Sequence, residues 1–311
     1  MPFPYTAILK QGYDFTRNNF QLWVLGIFVS FASGFHFLLA NLVLDRQHIV
    51  AFSLPVSAAK FWEFSHSPWM ILNLVVLMFV FFVSAVCKAS IIWLAQKLSE
   101  NESVAAKRAL SEGSKFVWPV FFLQIFLFGL FSIMASALAL PVVYLVALHE
   151  IGRSVALAVL GLAIFVPASI LLGFLFLYSP IIAVCYKLAA RSALSIAFQL
   201  FQVKLKESLV MGAILVGIWL GFMAAIGFGI IVVSVPVAFL SLVFAKLGLS
   251  WAIYLLIFGT GFLGLCAIVV LSAGLAVFSN LVWTLAVMEM IKSEKHEEMA
   301  KILAPEAEPA A

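Results

Sequence analysis

From Ser208 to Ala245 the chain carries no ionisable side chain. A stretch that long and that apolar is incompatible with a water-exposed surface. It is also longer than the ~20 residues that cross the roughly 30 Å hydrocarbon layer of a bilayer. Within lipid every backbone N–H and C=O must be bonded internally, so the stretch is predicted to be helical. Comparable runs occur at Leu22–Leu44, Trp69–Leu94, Val117–Leu148 and Val155–Tyr186, then at Leu209 to about Phe244, and within Trp251–Met288. The chain as a whole is 65% apolar and only 10% charged, too little charge to cover a soluble domain of 311 residues. The fold class expected is an all-α integral membrane protein with six transmembrane helices. Pro141, Pro167, Pro180 and Pro236 are expected to kink or end helices within the longer runs. Gly259-Thr260-Gly261 and Gly264 suggest that the first part of the last run is interfacial or re-entrant.

The short polar stretches between runs are not ordinary loops. Lys187, Arg191, Ser195, Gln199, Gln202 and Lys206 fall on one helical stripe, while Leu194, Phe198, Phe201 and Leu205 form another. A helix basic on one side and greasy on the other, leading into a span, is expected to lie in the bilayer interface. Weaker versions precede two other runs. In the first, Lys10, Asp14, Arg17 and Gln21 oppose Tyr5, Leu9, Gly12 or Tyr13, and Phe20. In the second, Lys107, Arg108, Ser111, Glu112 and Lys115 oppose Ala106, Leu110, Gly113 and Phe116. The organisation expected is one polytopic membrane domain over 1–303 and a disordered tail over 304–311. Its repeat units are about 5–98, 99–186 and 187–291, each an interfacial amphipathic helix followed by a transmembrane hairpin. The N-terminus has no basic-then-apolar order or small-residue cleavage site, so it reads as the first interfacial helix rather than a cleaved signal.

Six crossings sort the cations strongly. Arg46, Lys60, Arg153 and Lys246 fall on one side, and the other fourteen of the 18 Lys and Arg residues fall opposite. Both termini are therefore expected in the cytoplasm. Trp23, Trp93, Trp118 and Trp283 lie near the predicted inner interface and Trp62, Trp69 and Trp251 near the outer one, as an aromatic belt does. The net charge of +4 is accounted for by orientation signals and anionic headgroups, with no nucleic-acid partner expected.

The order of apolar span, Pro180, and a Lys187-to-Lys206 helix carrying Arg191-Ser192, then a long span, resembles a bacterial membrane family. Lys107-Arg108-Ala-Leu, Gly113 and Trp118-Pro119 look like the same unit again. The family is the six-span membrane domain of some bacterial glycerophosphodiester phosphodiesterases, which also occurs alone. An acidic residue often follows the proline-bearing helix end there, whereas this chain has Cys185-Tyr186-Lys187. The resemblance implies a multi-pass scaffold in the bacterial inner (plasma) membrane and supplies no catalytic residue.

Candidate chemistry is sparse. Lys88, near the inner end of the second span, is expected to extend its ammonium to the headgroups. Glu289 is expected to pair with Lys292 at the interface. His36, Asn41, Asn73, Gln124 and Asn280 are read as hydrogen bonds between helices. His48, Glu63, His66, His149 and Glu150 lie on the outer side without metal-ligand spacing. Cys87, Cys185 and Cys266 are scattered through apolar runs, with no disulfide framework. No nucleophile elbow, phosphate loop or paired-carboxylate motif is present, and no catalytic residue, cofactor or metal is expected. Ala213, Gly217, Gly221, Ala225 and Gly229 recur every four residues and are expected to admit another helix closely, from this chain or another. Replacing Gly217 or Gly221 by Leu is expected to disrupt packing or assembly.

The leading expectation is a non-enzymatic, lipid-interacting or membrane-organising scaffold. Its headgroup contacts would be Lys10, Arg17, Lys107, Arg108, Lys115, Lys187, Arg191, Lys204 and Lys206, with anionic-leaflet lipids as partners and possible association with itself or another membrane protein. The alternatives are a transporter or channel for a small apolar or amphipathic solute, and an accessory subunit of a lipid-hydrolysing enzyme.

Overall fold

In the computed structural model, residues 3–30, 68–100, 102 and 106–293 are described. They are helical with no strand among them: α1 (Tyr5–Asn18), α2 (Gln21–Ser30), α3 (Pro68–Ser99), α4 (Ala106–Gly113), α5 (Val117–Ala147), α6 (Ile151–Cys185), α7 (Ala190–Val203), α8 (Leu205–Lys246) and α9 (Ser250–Ser293). Five of the described helices are long and apolar enough to cross a membrane. Most of the first expected span, residues 45–67 and everything after Ser293 lie outside the described residues.

The long helices run straight through several sequence features expected to break them. Pro141 lies inside α5, Pro167 and Pro180 inside α6, and Pro236 inside α8. The Gly259–Gly264 stretch lies within one continuous α9, which corrects the re-entrant reading. A helix surrounded by apolar groups has no competing solvent partner for its backbone, so isolated glycines and prolines are tolerated there.

Local turn chemistry closes the hairpins. After α5, His149 takes a positive φ of 57°, the His149 amide bonds Val146 O, and the Glu150 amide bonds Leu145 O. After α8, Gly248 at φ 72° does the same, with its amide on Ala245 O and that of Leu249 on Phe244 O. These are Schellman ends, in which one left-handed residue satisfies the last carbonyls and reverses the chain. Lys187 at φ 55° ends α6 likewise, the Leu188 amide reaching Ala183 O.

Among the described residues, the buried apolar side chains gather at one end of the bundle. On the long helices they fall within Phe81 to Ala95 of α3, Val117 to Leu127 of α5, Phe174 to Val184 of α6, Ser208 to Leu215 of α8 and Ala273 to Met290 of α9. These are the ends that meet the Lys- and Arg-rich connections, here called the basic end. Toward the far end, Ile133, Val159, Ile164, Phe228, Phe239 and Phe258 are exposed, and Ser154, bonded to the Val142 carbonyl, is a buried polar exception. At the basic end α3, α6 and α9 touch one another pairwise and form a central trio. Trp283 sits inside it, 5.8 Å from the Phe174 ring and 5.7 Å from Tyr178 by centroids. That corrects its assignment to an interfacial belt. Its size and its neighbours on α6 place it in the core, whereas Trp118 and Trp251 remain exposed.

The three short helices surround the trio. Each packs chiefly on one of its members: α4 on α3, α7 on α6, and α1 on α9. Each gives way to the helix after it through a short off-helix step. The steps are at Asn19 (φ −125°, ψ 66°), at Phe116 (φ −102°, ψ 12°) after a 3-10 turn over Ser114–Phe116, and at Lys204 (φ −109°, ψ 36°).

Candidate functional site

The short helices explain why the basic end is both packed and charged. On α1 the buried positions are Ile8, Gly12 and Thr16; at the α4–α5 junction they are Ala109, Gly113 and Val117; on α7 they include Ala193, Ala197 and Phe201. Each set is spaced by four residues, with glycine or alanine in the middle. Those small residues set the approach distance. A side chain added at Gly113 would run into the backbone of Ser90 on α3, and one added at Gly12 would meet Val282 and Phe278 on α9. The packed faces on α4 and α7 therefore lie partly between the two stripes that amphipathicity alone identifies.

The cations occupy the remaining surface. Lys10, Arg17, Lys107, Arg108, Lys115, Lys187, Arg191 and Lys206 are exposed and Lys204 is half-buried. Lys115 pairs with Glu112 at 2.7 Å, and Lys97 at the end of α3 pairs with Glu100 at 2.6 Å and Glu102 at 3.4 Å. Beside these cations stand exposed apolar side chains: Tyr13 and Phe20 near α1, Leu110 and Trp118 near α4, and Phe198, Val203 and Leu205 around α7. Each short helix thus presents a polar side, a greasy side, and a third side held by protein. The Tyr5 phenol is raised by burial and, less, by the Glu207 carboxylate at the start of α8. Burial pushes the Tyr186 phenol, just past the end of α6, up to about 12, with Cys185 adding to it.

Inside the packed end lies a group that the sequence misplaces. Lys88 is only 5% exposed and does not reach the surface. Its Nζ donates to the Phe176 carbonyl oxygen on α6 at 3.2 Å and sits 4.5 Å from the centre of the Phe176 ring. No carboxylate among the described residues forms an ion pair with it. The expectation that it snorkels is not met, because α6 packs on α3 here and offers a carbonyl acceptor to the buried ammonium. Position 88 in an apolar run was visible in the sequence; its partner, 88 residues away, was not.

The other polar residues separate rather than converge. Gln124 is buried with Oε1 lacking a partner among the described residues, as is Ser179 Oγ. Asn280 Nδ2 turns back to the Ala276 carbonyl of its own helix at 2.8 Å, and so does not join two helices through that amide. Tyr178 donates to Ser208 Oγ at 2.7 Å, and Ser208 donates to Lys204 O at 2.6 Å, which ties α6 to the start of α8. Glu289 and Lys292 form no ion pair, contrary to expectation; the described pairs lie elsewhere. Among the described residues no cluster of three or more His, Cys, Asp or Glu side chains could hold a metal ion. His36, Asn41, His48, Glu63 and His66 lie outside the described residues, and so does the side chain of Asn73. Glu150 pairs with Arg153 at 2.9 Å in the α5–α6 hairpin, beside exposed His149.

No protein-family model, curated protein or solved structure matches this chain.

The small-residue ladder of α8 stands in the open. Ala213, Gly217, Gly221, Ala225 and Gly229 are all exposed, and a side chain added at Gly217, Gly221 or Gly229 would meet nothing within 4 Å. No described helix of this chain uses it. Farther along, a cleft of about 520 Å³ opens between the far halves of α8 and α9, lined by Ser234, Val237, Ala238, Ser241, Leu242 and Ile257. Both serines bond their own helix backbone, at Ile230 O and Val237 O, so the cleft presents an apolar wall.

Proposed function

We propose that the protein is a non-enzymatic, six-span scaffold of a bacterial inner membrane, whose basic end grips the cytoplasmic leaflet. The observation that carries this reading is the pairing of exposed cations with exposed aromatic and aliphatic side chains on three short helices at one end of the bundle. That combination suits an interface, where headgroups take the charge and acyl chains take the rings. Each Lys or Arg held near an anionic leaflet contributes on the order of 1 kcal/mol. Lys187, Arg191, Lys204 and Lys206, all around α7, would together favour anionic lipid.

Threefold repetition belongs to the same proposal. Short helix, long helix, long helix is complete twice, in α4–α6 and α7–α9, and the start of a third unit precedes α3. Each short helix leans on the second long helix of the unit before it, and α1 leans on α9, as a closed ring requires. Ala-Leu-Ser recurs at 109–111 and 193–195 in equivalent register. An even number of crossings places both termini on the basic, cytoplasmic side.

The test uses the full chain in nanodiscs of mixed zwitterionic and anionic lipid, with retained lipids read by native mass spectrometry. Anionic lipid is expected to be enriched over the bulk, and replacing Lys187, Arg191, Lys204 and Lys206 by Gln is expected to remove most of the enrichment. Retention in bulk proportion, or enrichment untouched by the four changes, overturns the lipid reading. A reporter inserted after Lys206 and found outside the cell overturns the orientation.

A further inference from the structure

Lys88 and Pro180 stand in a relation that neither explains alone. In an α-helix the carbonyl of residue 176 accepts from the amide of residue 180, but proline has no amide hydrogen. Pro180 therefore leaves the Phe176 oxygen without its ordinary donor. Three other helix prolines, Pro141, Pro167 and Pro236, lie on exposed stretches of their helices. Pro180 alone of the four is buried, among Tyr178, Ser179, Ile181 and Ile182. A buried carbonyl without a donor is expensive, and so is a buried ammonium without an acceptor. Here each meets the other's need: Lys88 Nζ lies 3.2 Å from that oxygen, and the Phe176 ring covers the cation at 4.5 Å.

We propose that Lys88 is the replacement donor for the amide that Pro180 removes, and that the two form a latch fastening α3 to α6. The latch lies close to Phe174, where α6 leaves the packed end. It holds α6 against α3 at the point where the α5–α6 hairpin passes into the open half. The inference is independent of the lipid reading, since neither group belongs to the charged surface.

Four versions of the full chain test it by thermal unfolding in detergent: wild type, Lys88→Met, Pro180→Ala and the double variant. Lys88→Met strands the carbonyl and is expected to lower the midpoint by several degrees. Pro180→Ala restores the helix's own donor and strands the ammonium. In that background Lys88→Met is expected to be neutral or to raise the midpoint. Equal lowering by Lys88→Met in both backgrounds overturns the latch. If either single variant yields no folded protein, the double variant is expected to recover it, and failure of the double variant overturns the latch too.

Discussion

The two halves of α8 are both predominantly apolar and have opposite surroundings. At its start Ser208, Met211 and Leu215 are buried against α6, α7 and α9, whereas from Val216 onward no side chain of α8 is buried. α9 repeats the contrast in reverse, exposed at Tyr254, Phe258 and Leu263 and buried at Val277, Leu281 and Val287. At 42 and 44 residues these helices are ~63–66 Å long, about twice the hydrocarbon thickness. One part of each builds the protein's interior, and the rest is largely exposed. Lipid and protein interior are equally apolar, so exclusion of water does not draw the far halves together. Close backbone approach and polar contacts hold the basic end.

The sharpest way to break that comparison is to place the same substitution in both regions. Gly113→Leu drives a side chain into the Ser90 backbone, which cannot move aside cheaply. It is expected to lower stability by about 3 kcal/mol or more, or to abolish folded yield. Gly221→Leu enters open space, and the single chain is expected to melt in detergent as the wild type does. A comparable loss at both positions would show that the far half is packed against something that the monomer alone does not supply.

A smaller effect sharpens the contrast in hydrogen bonding. Tyr178→Phe removes the donor to buried Ser208 and is expected to cost about 1 kcal/mol in denaturation. Ser234→Ala removes only a bond to its own helix on an exposed face, and is expected to change stability by less than about 0.5 kcal/mol. Equal effects from the two would contradict the division into a packed end and an open end.

A comparably small effect is expected at the hairpin turns of the far end. His149 holds a left-handed conformation that suits glycine better. His149→Gly is expected to raise the unfolding midpoint by the equivalent of about 0.5–1 kcal/mol, and Gly248→Ala at the matching turn to lower it by about 1 kcal/mol. A far end that frays before the core melts would show neither shift.

Much of this architecture was legible beforehand. The five long helices fall where the apolar runs lie, and the three amphipathic segments all contain short helices. The α8 ladder shows where legibility stopped. Its glycines and alanines have the spacing of a packing face and stand exposed, while Gly12 and Gly113, in less conspicuous settings, make close approaches. Small residues permit contact without specifying a partner. Lys88 failed for a related reason: a lysine near a span end has a route to water only if no other helix intercepts it.

The sequence by itself determined that the chain is helical, apolar enough to cross a membrane repeatedly, and charged mainly between its runs. Those properties follow from hydropathy and helical period, which are local and accumulate residue by residue. Only the tertiary structure decided which stretch of each long helix is core, which of the small residues carry weight, and that the carbonyl left free by Pro180 would meet Lys88. Each of these depends on which helix arrives at a given face, and an apolar side chain reads the same whether protein or lipid lies against it.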